Sequence, residues 1–89
     1  MINAVWIVDG AGAGSCVAIG PEEAAQQMIR ELHPWLDRMG PESAAHVLGA
    51  VLHPARLAAA TDGRTALSAD GFWEYSGPGV FVRMSVADA

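Results

Sequence analysis

Histidine and cysteine, the side chains that most often bind metals or act as nucleophiles, occur only at His33, His46, His53 and Cys16. His46 and His53 are seven residues apart and share a face if the helix between them is continuous. Neither CxxC nor HExxH spacing is present, so the sequence predicts no metal site. Cys16 lies in an apolar run without a basic neighbour, which favours a small core residue over a nucleophile.

A glycine-rich segment, Gly10-Ala11-Gly12-Ala13-Gly14, follows an apolar run and could bring backbone N–H groups close to a phosphate. The spacing does not fit a dinucleotide fingerprint. A GxGxxG motif that starts at Gly10 meets Ser15, and one that starts at Gly12 meets Val17. A second strand pattern follows instead of a helix, so we interpret the segment as a hairpin loop and predict no cofactor.

Asp9 stands at the end of the first predicted strand, before this glycine loop. The arrangement resembles the opening hairpin of ribonuclease H-like domains, and that resemblance implies metal-dependent catalysis by several carboxylates. Glu74 is the one other acid on a predicted strand, whereas a two-metal site needs several converging acids. We therefore interpret Asp9 as the start of a turn, and a small enzyme that uses Asp9 or a histidine is the least favoured function.

The composition is that of one folded, acidic domain spanning residues 1–89. Hydrophobic residues make up 52% and charged residues 17% of the chain, and the net charge is −5. The five basic residues are single, dispersed arginines, so no nucleic-acid partner is expected. The apolar runs fall short of the roughly 18 residues that span a bilayer, so no membrane partner is expected either. The lone cysteine and the absence of a basic signal segment favour a cytoplasmic location.

An internal repeat organises the middle of the chain. Residues 20–34 and 40–54 are identical at eight of fifteen positions, and both begin Gly-Pro-Glu and end Leu-His-Pro. Pro21 and Pro41 suit the first helical position, so the segments 20–39 and 40–53 are predicted to form two neighbouring antiparallel helices. The first has one apolar stripe and should break near Pro34.

The second helix is apolar around nearly its whole circumference, so we predict that it is the more buried of the two. Val47, Leu48 and Val51 should then be largely covered. A short further turn is expected from Pro54, ending at residues 61–63, followed by a polar loop up to Gly71.

Residues 4–8 and 15–19 are predicted strands, the first one central because it is apolar on both faces. Residues 72–75 and 80–86 form a predicted hairpin around a 76–79 turn, in which Pro78 and Gly79 suit a type II turn. This register pairs Tyr75 with Val80 and Trp73 with Val82, and it places them on the core side. The opposite side is predicted to be an exposed protein-binding patch of Phe72, Glu74, Phe81 and Arg83. The alternative is that the two phenylalanine rings pack under the 61–71 loop, or that the register is off by one residue and they belong to the core.

These patterns together predict an α+β fold in the order β-β-α-α-β-β, with two β-hairpins in one antiparallel sheet packed against a helical hairpin. The favoured function is a small, cytosolic, non-enzymatic protein-binding module: an adaptor, inhibitor or immunity-type protein of bacterial or phage origin. The alternative is a self-associating structural or complex subunit, such as a homodimer, because a chain this small and apolar benefits from a symmetric partner.

Overall fold

The computed structural model of the chain describes residues 1–87 and has the predicted α+β architecture. Two β-hairpins form a four-stranded antiparallel sheet, and the helices between them form a hairpin that packs on one face. The elements are β1 (Ile2–Val8), β2 (Gly12–Ala18), α1 (Pro21–Glu31), α2 (His33–Asp37), α3 (Pro41–Val47), α4 (His53–Ala58), α5 (Arg64–Asp70), β3 (Phe72–Gly77) and β4 (Val80–Val86).

The strand order is β2-β1-β4-β3, so the two hairpins meet through β1 and β4. β1 is central, as its apolar sequence predicts. Its burial alternates strictly: Ile2, Ala4, Trp6 and Val8 point into the core, and the residues between them are exposed. Within the described residues the helices cover this one side of the sheet, so the outer apolar residues Val5 and Ile7 stay exposed.

The register of the C-terminal hairpin differs from the predicted one by two residues. The turn is Pro78-Gly79 alone, with Gly77 opposite Val80 and Tyr75 opposite Val82. Gly79 has φ +76°, which suits the second central position of a type II turn and is disfavoured for residues with a side chain. Because side chains alternate with period two, a shift of two residues keeps every side chain on its predicted face.

The first arm of the helical hairpin consists of α1 and α2. Gly20 precedes α1 in an extended conformation, and its carbonyl accepts the first helical hydrogen bond, from the N–H of Ala24 at 3.0 Å. Glu22 and Glu23 in the first turn suit the positive end of the helix dipole. The helix breaks at Leu32 and restarts at once with Pro34 in its first turn, as predicted.

The second arm runs without interruption from α3 to α5, because two π-helical segments join the α-helices. In the first, Leu48–Leu52, the N–H of His53 donates to the carbonyl of Leu48, five residues earlier. This wider turn accommodates Pro54, whose ring would clash with a carbonyl in a regular α-helix and which lacks an N–H.

The predicted helix end at residues 61–63 and the polar loop after it are wrong. A second π segment, Ala59–Gly63, continues directly into α5. Gly63 has helical dihedral angles and is buried against Trp73. A Cβ at this position would lie 3.2 Å from the Trp73 ring, which leaves little room for a larger residue. It is therefore a packing glycine, and the helix ends at Gly71, which has φ +73°.

The prediction that the second helix is the more buried is also wrong. In α1, Ala24, Ala25, Met28 and Ile29 are buried, whereas α3 has no buried residue. The predicted core residues Val47, Leu48 and Val51 are only half-buried. The deepest residue of the second arm is Leu52, which is fully buried next to Pro54.

Candidate protein-binding face

One side of the sheet carries no helix from the described part of the chain, and we call it the open face. It consists of the alternate side chains of all four strands. They are Ala13, Ser15 and Val17 of β2; Asn3, Val5 and Ile7 of β1; Phe81, Arg83 and Ser85 of β4; and Phe72, Glu74 and Ser76 of β3.

The open face exposes more apolar surface than a solvated sheet needs. Ile7 and Val17 are each 55% exposed, Val5 is 45% and Phe72 is 37% exposed. Phe81 is half-buried beside Ile7, its neighbour across β1 and β4. Val5, Ile7 and Phe81 are neighbours, whereas Val17 and Phe72 lie in the opposite end row, separated by Asn3 and Ser85. Exposed apolar side chains grouped on one face are typical of a protein-interaction site.

The four residues predicted as the binding patch all lie on the open face, but only Phe72, Glu74 and Arg83 lie together. The predicted pairing of Glu74 with Phe81 is wrong, because Phe81 is opposite Ser76, at the other end of the hairpin from Phe72. Glu74 and Arg83 are directly opposite each other on β3 and β4. The Arg83 guanidinium lies over the Phe72 ring, 5.0 Å from its centroid, within the range of a cation–π contact. This contact restrains the ring before any partner binds. Whether the patch binds a protein stays a prediction.

The site predicted from the sequence was confined to the C-terminal hairpin and did not include Val5, Ile7 and Val17. The apolar residues on both faces of β1 served only to predict a central strand. The signal that could have identified them is the order of elements, because both helical arms lie in a single connection between β2 and β3. One such connection covers one side of a sheet, so the other side stays open.

The charge of the open face differs from that of the whole protein. The net charge of the chain is −5, but the strands contribute one acid and one base, Glu74 and Arg83, to this side. The open face is thus close to neutral. Removing it from water does not require the burial of unpaired like charges, which is a large cost at other acidic surfaces.

The side chains considered for catalysis or metal binding are dispersed. His33, His46 and His53 are exposed on the helices, and Asp9 is exposed at the end of β1, near Gly79. Within residues 1–87, no three side chains from histidine, cysteine, aspartate and glutamate come together in a way that could hold a metal ion.

Cys16 is half-buried on the core side of β2, with its sulfur 3.9 Å from the carbonyl oxygen of Ala24. Burial raises the pKa of the thiol, and the nearby carboxylate of Glu31 raises it further. Both effects favour the neutral thiol at pH 7, and the thiolate is the reactive form. The environment of Cys16 is therefore the opposite of the one that activates a nucleophile.

A concave surface lies on the helical layer, between the start of α1 and α4. Its lining includes Glu22, His53, Arg56 and Leu57. The Glu22 carboxylate is 3.7 Å from the Arg56 guanidinium and 3.8 Å from that of Arg64. These side chains are well exposed, so the ion pairs are weak. No sequence pattern predicts this surface, because it pairs residues more than thirty positions apart in the chain.

Residues 1–87 contain no helix with the length and apolar character required to cross a membrane. Comparison of the chain with known protein families, curated proteins and solved structures gives no match.

Proposed function

We propose that this chain is a non-enzymatic, cytoplasmic protein-binding module and that the open face is its docking surface. The observation that supports the proposal is the uncovered apolar and nearly neutral side of the sheet in a small acidic domain. Such surface is unfavourable in water, at roughly 25 cal/mol for each Å² left exposed, and association removes this cost.

The chemistry of the patch supports this proposal over that of an ordinary solvated sheet. Interface centres are enriched in aromatic side chains and arginine, and Phe72, Phe81 and Arg83 supply both. The residues stand on hydrogen-bonded strands, so little backbone freedom is lost on binding. The cation–π contact between Arg83 and Phe72 also restrains two side chains in advance.

The experiment that tests the proposal compares what the purified protein retains from a cell extract with what its variants retain. The test variant carries Phe72→Ala with Phe81→Ala. Leu57→Ala is the matched control, since Leu57 is a 66% exposed apolar residue of the helical layer. We expect wild type and control to retain the same specific protein, and the double variant to lose at least about tenfold, or 1.4 kcal/mol.

Retention of one specific protein in equal amounts by all three would contradict the proposal, provided that circular dichroism shows the double variant to be folded. Loss of binding in the Leu57→Ala control alone would assign binding to the helical layer and would also contradict it.

A further inference from the structure

The pattern of side chains on the open face is complementary to itself, and we propose that its occupant is a second copy of this chain. The two sheets pack face to face, about 10 Å apart, to give four layers in the order helices, sheet, sheet, helices. This inference rests on the proposed function, because it requires the open face to bind protein.

The complementarity begins with the register of the two inner strands. Ile7 of β1 is opposite Phe81 of β4 at one end of the sheet, and Val5 is opposite Arg83 in the middle row. A two-fold axis in the interface that runs along the strands, between β1 and β4, places β1 of one copy over β4 of the other. Ile7 then contacts Phe81 of the second copy, and the same contact occurs a second time by symmetry.

The outer strands agree with this axis. Val17 of β2 and Phe72 of β3 lie in the same end row, opposite Asn3 and Ser85 respectively. The axis exchanges β2 and β3, so Val17 comes over Phe72 of the second copy. The exposed apolar residues of the two outer strands, Val17 and Phe72, therefore cover each other across the interface.

The other possible axis, which runs across the strands, is unfavourable. It places each strand over the same strand of the second copy. The middle row of side chains, which contains Val5, Arg83 and Glu74, then lies over the same row of the second copy. Arg83 would then face Arg83 of the second copy, and Glu74 would face Glu74. Like charges in contact inside an interface cost several kcal/mol. The first axis instead places the aliphatic part of Arg83 over Val5 of the second copy.

The size of the open face is sufficient for a weak dimer. Strands of six or seven residues are about 20–23 Å long at about 3.3 Å per residue, and four strands are about 19 Å across. The flat outline is thus at most about 440 Å² per copy, or about 880 Å² for two copies, and projecting side chains add to it. Stable interfaces bury about 1,200–2,000 Å² in total, so this contact is at the small end and we expect a weak dimer.

Net charge gives this dimer a distinctive salt dependence. Each copy has a charge of −5, whereas the strands that form the open face add one acid and one base. The two bodies therefore repel each other while the contact itself is nearly neutral. Because added salt screens this repulsion, we expect association to strengthen between about 20 mM and 300 mM salt. An interface based on ion pairs would weaken instead.

Sedimentation equilibrium of the full 9.3 kDa chain tests the proposal, with Ile7→Lys as the test and Leu57→Lys as the control. Both positions are exposed, at 55% and 66%, so both variants should fold. We expect wild type and Leu57→Lys to dimerise, and Ile7→Lys to bind itself at least tenfold more weakly. A dimer that is insensitive to Ile7→Lys uses another surface and overturns the inference.

Cross-linking tests the axis. In a Cys16→Ala background, Ile7→Cys and Phe81→Cys proteins are treated with a short bis-maleimide, separately and mixed. We expect the mixed sample to cross-link much more than either protein alone, because each Ile7 faces Phe81 of the second copy. Efficient self-cross-linking of Val5→Cys, with none in the mixture, would show the other axis and overturn the arrangement.

The results also separate this inference from the proposed function. If wild type is monomeric at several hundred micromolar, the second-copy inference fails. The proposed function still holds in that case if wild type retains a different protein from extract and the Phe72→Ala, Phe81→Ala variant does not. If neither self-association nor capture depends on the open face, both proposals fail.

Discussion

Gly14→Ala should destabilise the protein strongly, although the change adds a single methyl group. Gly14 of β2 is opposite Trp6 of β1, and the indole lies across the glycine on the core side of the sheet. A Cβ at position 14 would be 2.6 Å from Trp6 Nε1 and Cε2, closer than real Cβ atoms approach other heavy atoms. Trp6 is only 3% exposed, so its ring has little room to move.

Inserting a methyl group into such a contact costs about 1–3 kcal/mol. A domain of this size has roughly 4–13 kcal/mol of stability, at about 0.05–0.15 kcal/mol per residue, so the loss is a large share. The melting temperature should fall by about 5–20 °C, since 1 kcal/mol shifts it by about 4–8 °C in small domains.

Thermal unfolding followed by far-UV circular dichroism measures this effect, with Gly49→Ala as the matched control. Gly49 is exposed in the first π segment, and a Cβ there meets no atom within 4 Å. Alanine should therefore stabilise that segment by up to about 1 kcal/mol, because glycine loses more backbone entropy on folding. A Gly14→Ala protein that melts at or above the wild-type temperature would refute the packing of Trp6 against β2.

Two further predictions concern the core. Leu52→Ala should reduce the free energy of unfolding, measured by urea titration, by about 2–5 kcal/mol, because Leu52 is fully buried. Leu48→Ala should reduce it by less than half as much, because Leu48 is only half-buried. Equal losses would contradict this order of burial. Cys16 should react with iodoacetamide more slowly than a free thiol at pH 7.5 and at the normal rate in denaturant, since its pKa is raised by burial and by Glu31. As pH rises, the thiol ionises in the unfolded chain before it ionises in the folded protein, because folding raises its pKa. The stability that the neutral thiol provides is therefore present below about pH 8.5 and is lost above it. Cys16→Ala should remove this loss of stability at alkaline pH.

The sequence predicted the sheet, its central strand and the order of elements because these depend on strong local signals. Alternating and β-branched residues marked the strands, and Pro21 and Pro41 marked the helix starts. The faces of the C-terminal hairpin were also correct, although the register was wrong by two residues. Alternation fixes the face, whereas the length of the turn fixes the register, and Ser76 and Gly77 suit either a turn or a strand.

The errors lie where tertiary packing overrides local propensity. Gly63 was read as a helix end from its neighbours in sequence, but the ring of Trp73 is what requires a glycine there. Pro54 was expected to start a new element, and a π turn allows the helix to pass through it instead. The burial of the second arm was overestimated. Apolar residues around a helix show that it can be covered, but they do not show which element covers it.

The central claim is tested most directly by two measurements: the melting temperature, and the dissociation constant of the complex that the open face forms with a second copy or with a protein retained from extract. For Phe72→Ala with Phe81→Ala we predict binding at least about tenfold weaker than wild type, and a melting temperature lower by no more than about 5 °C, because both rings are partly exposed before binding. If the double variant instead unfolds while the dissociation constant per folded molecule is unchanged, these rings belong to the core and the open face is not the binding surface.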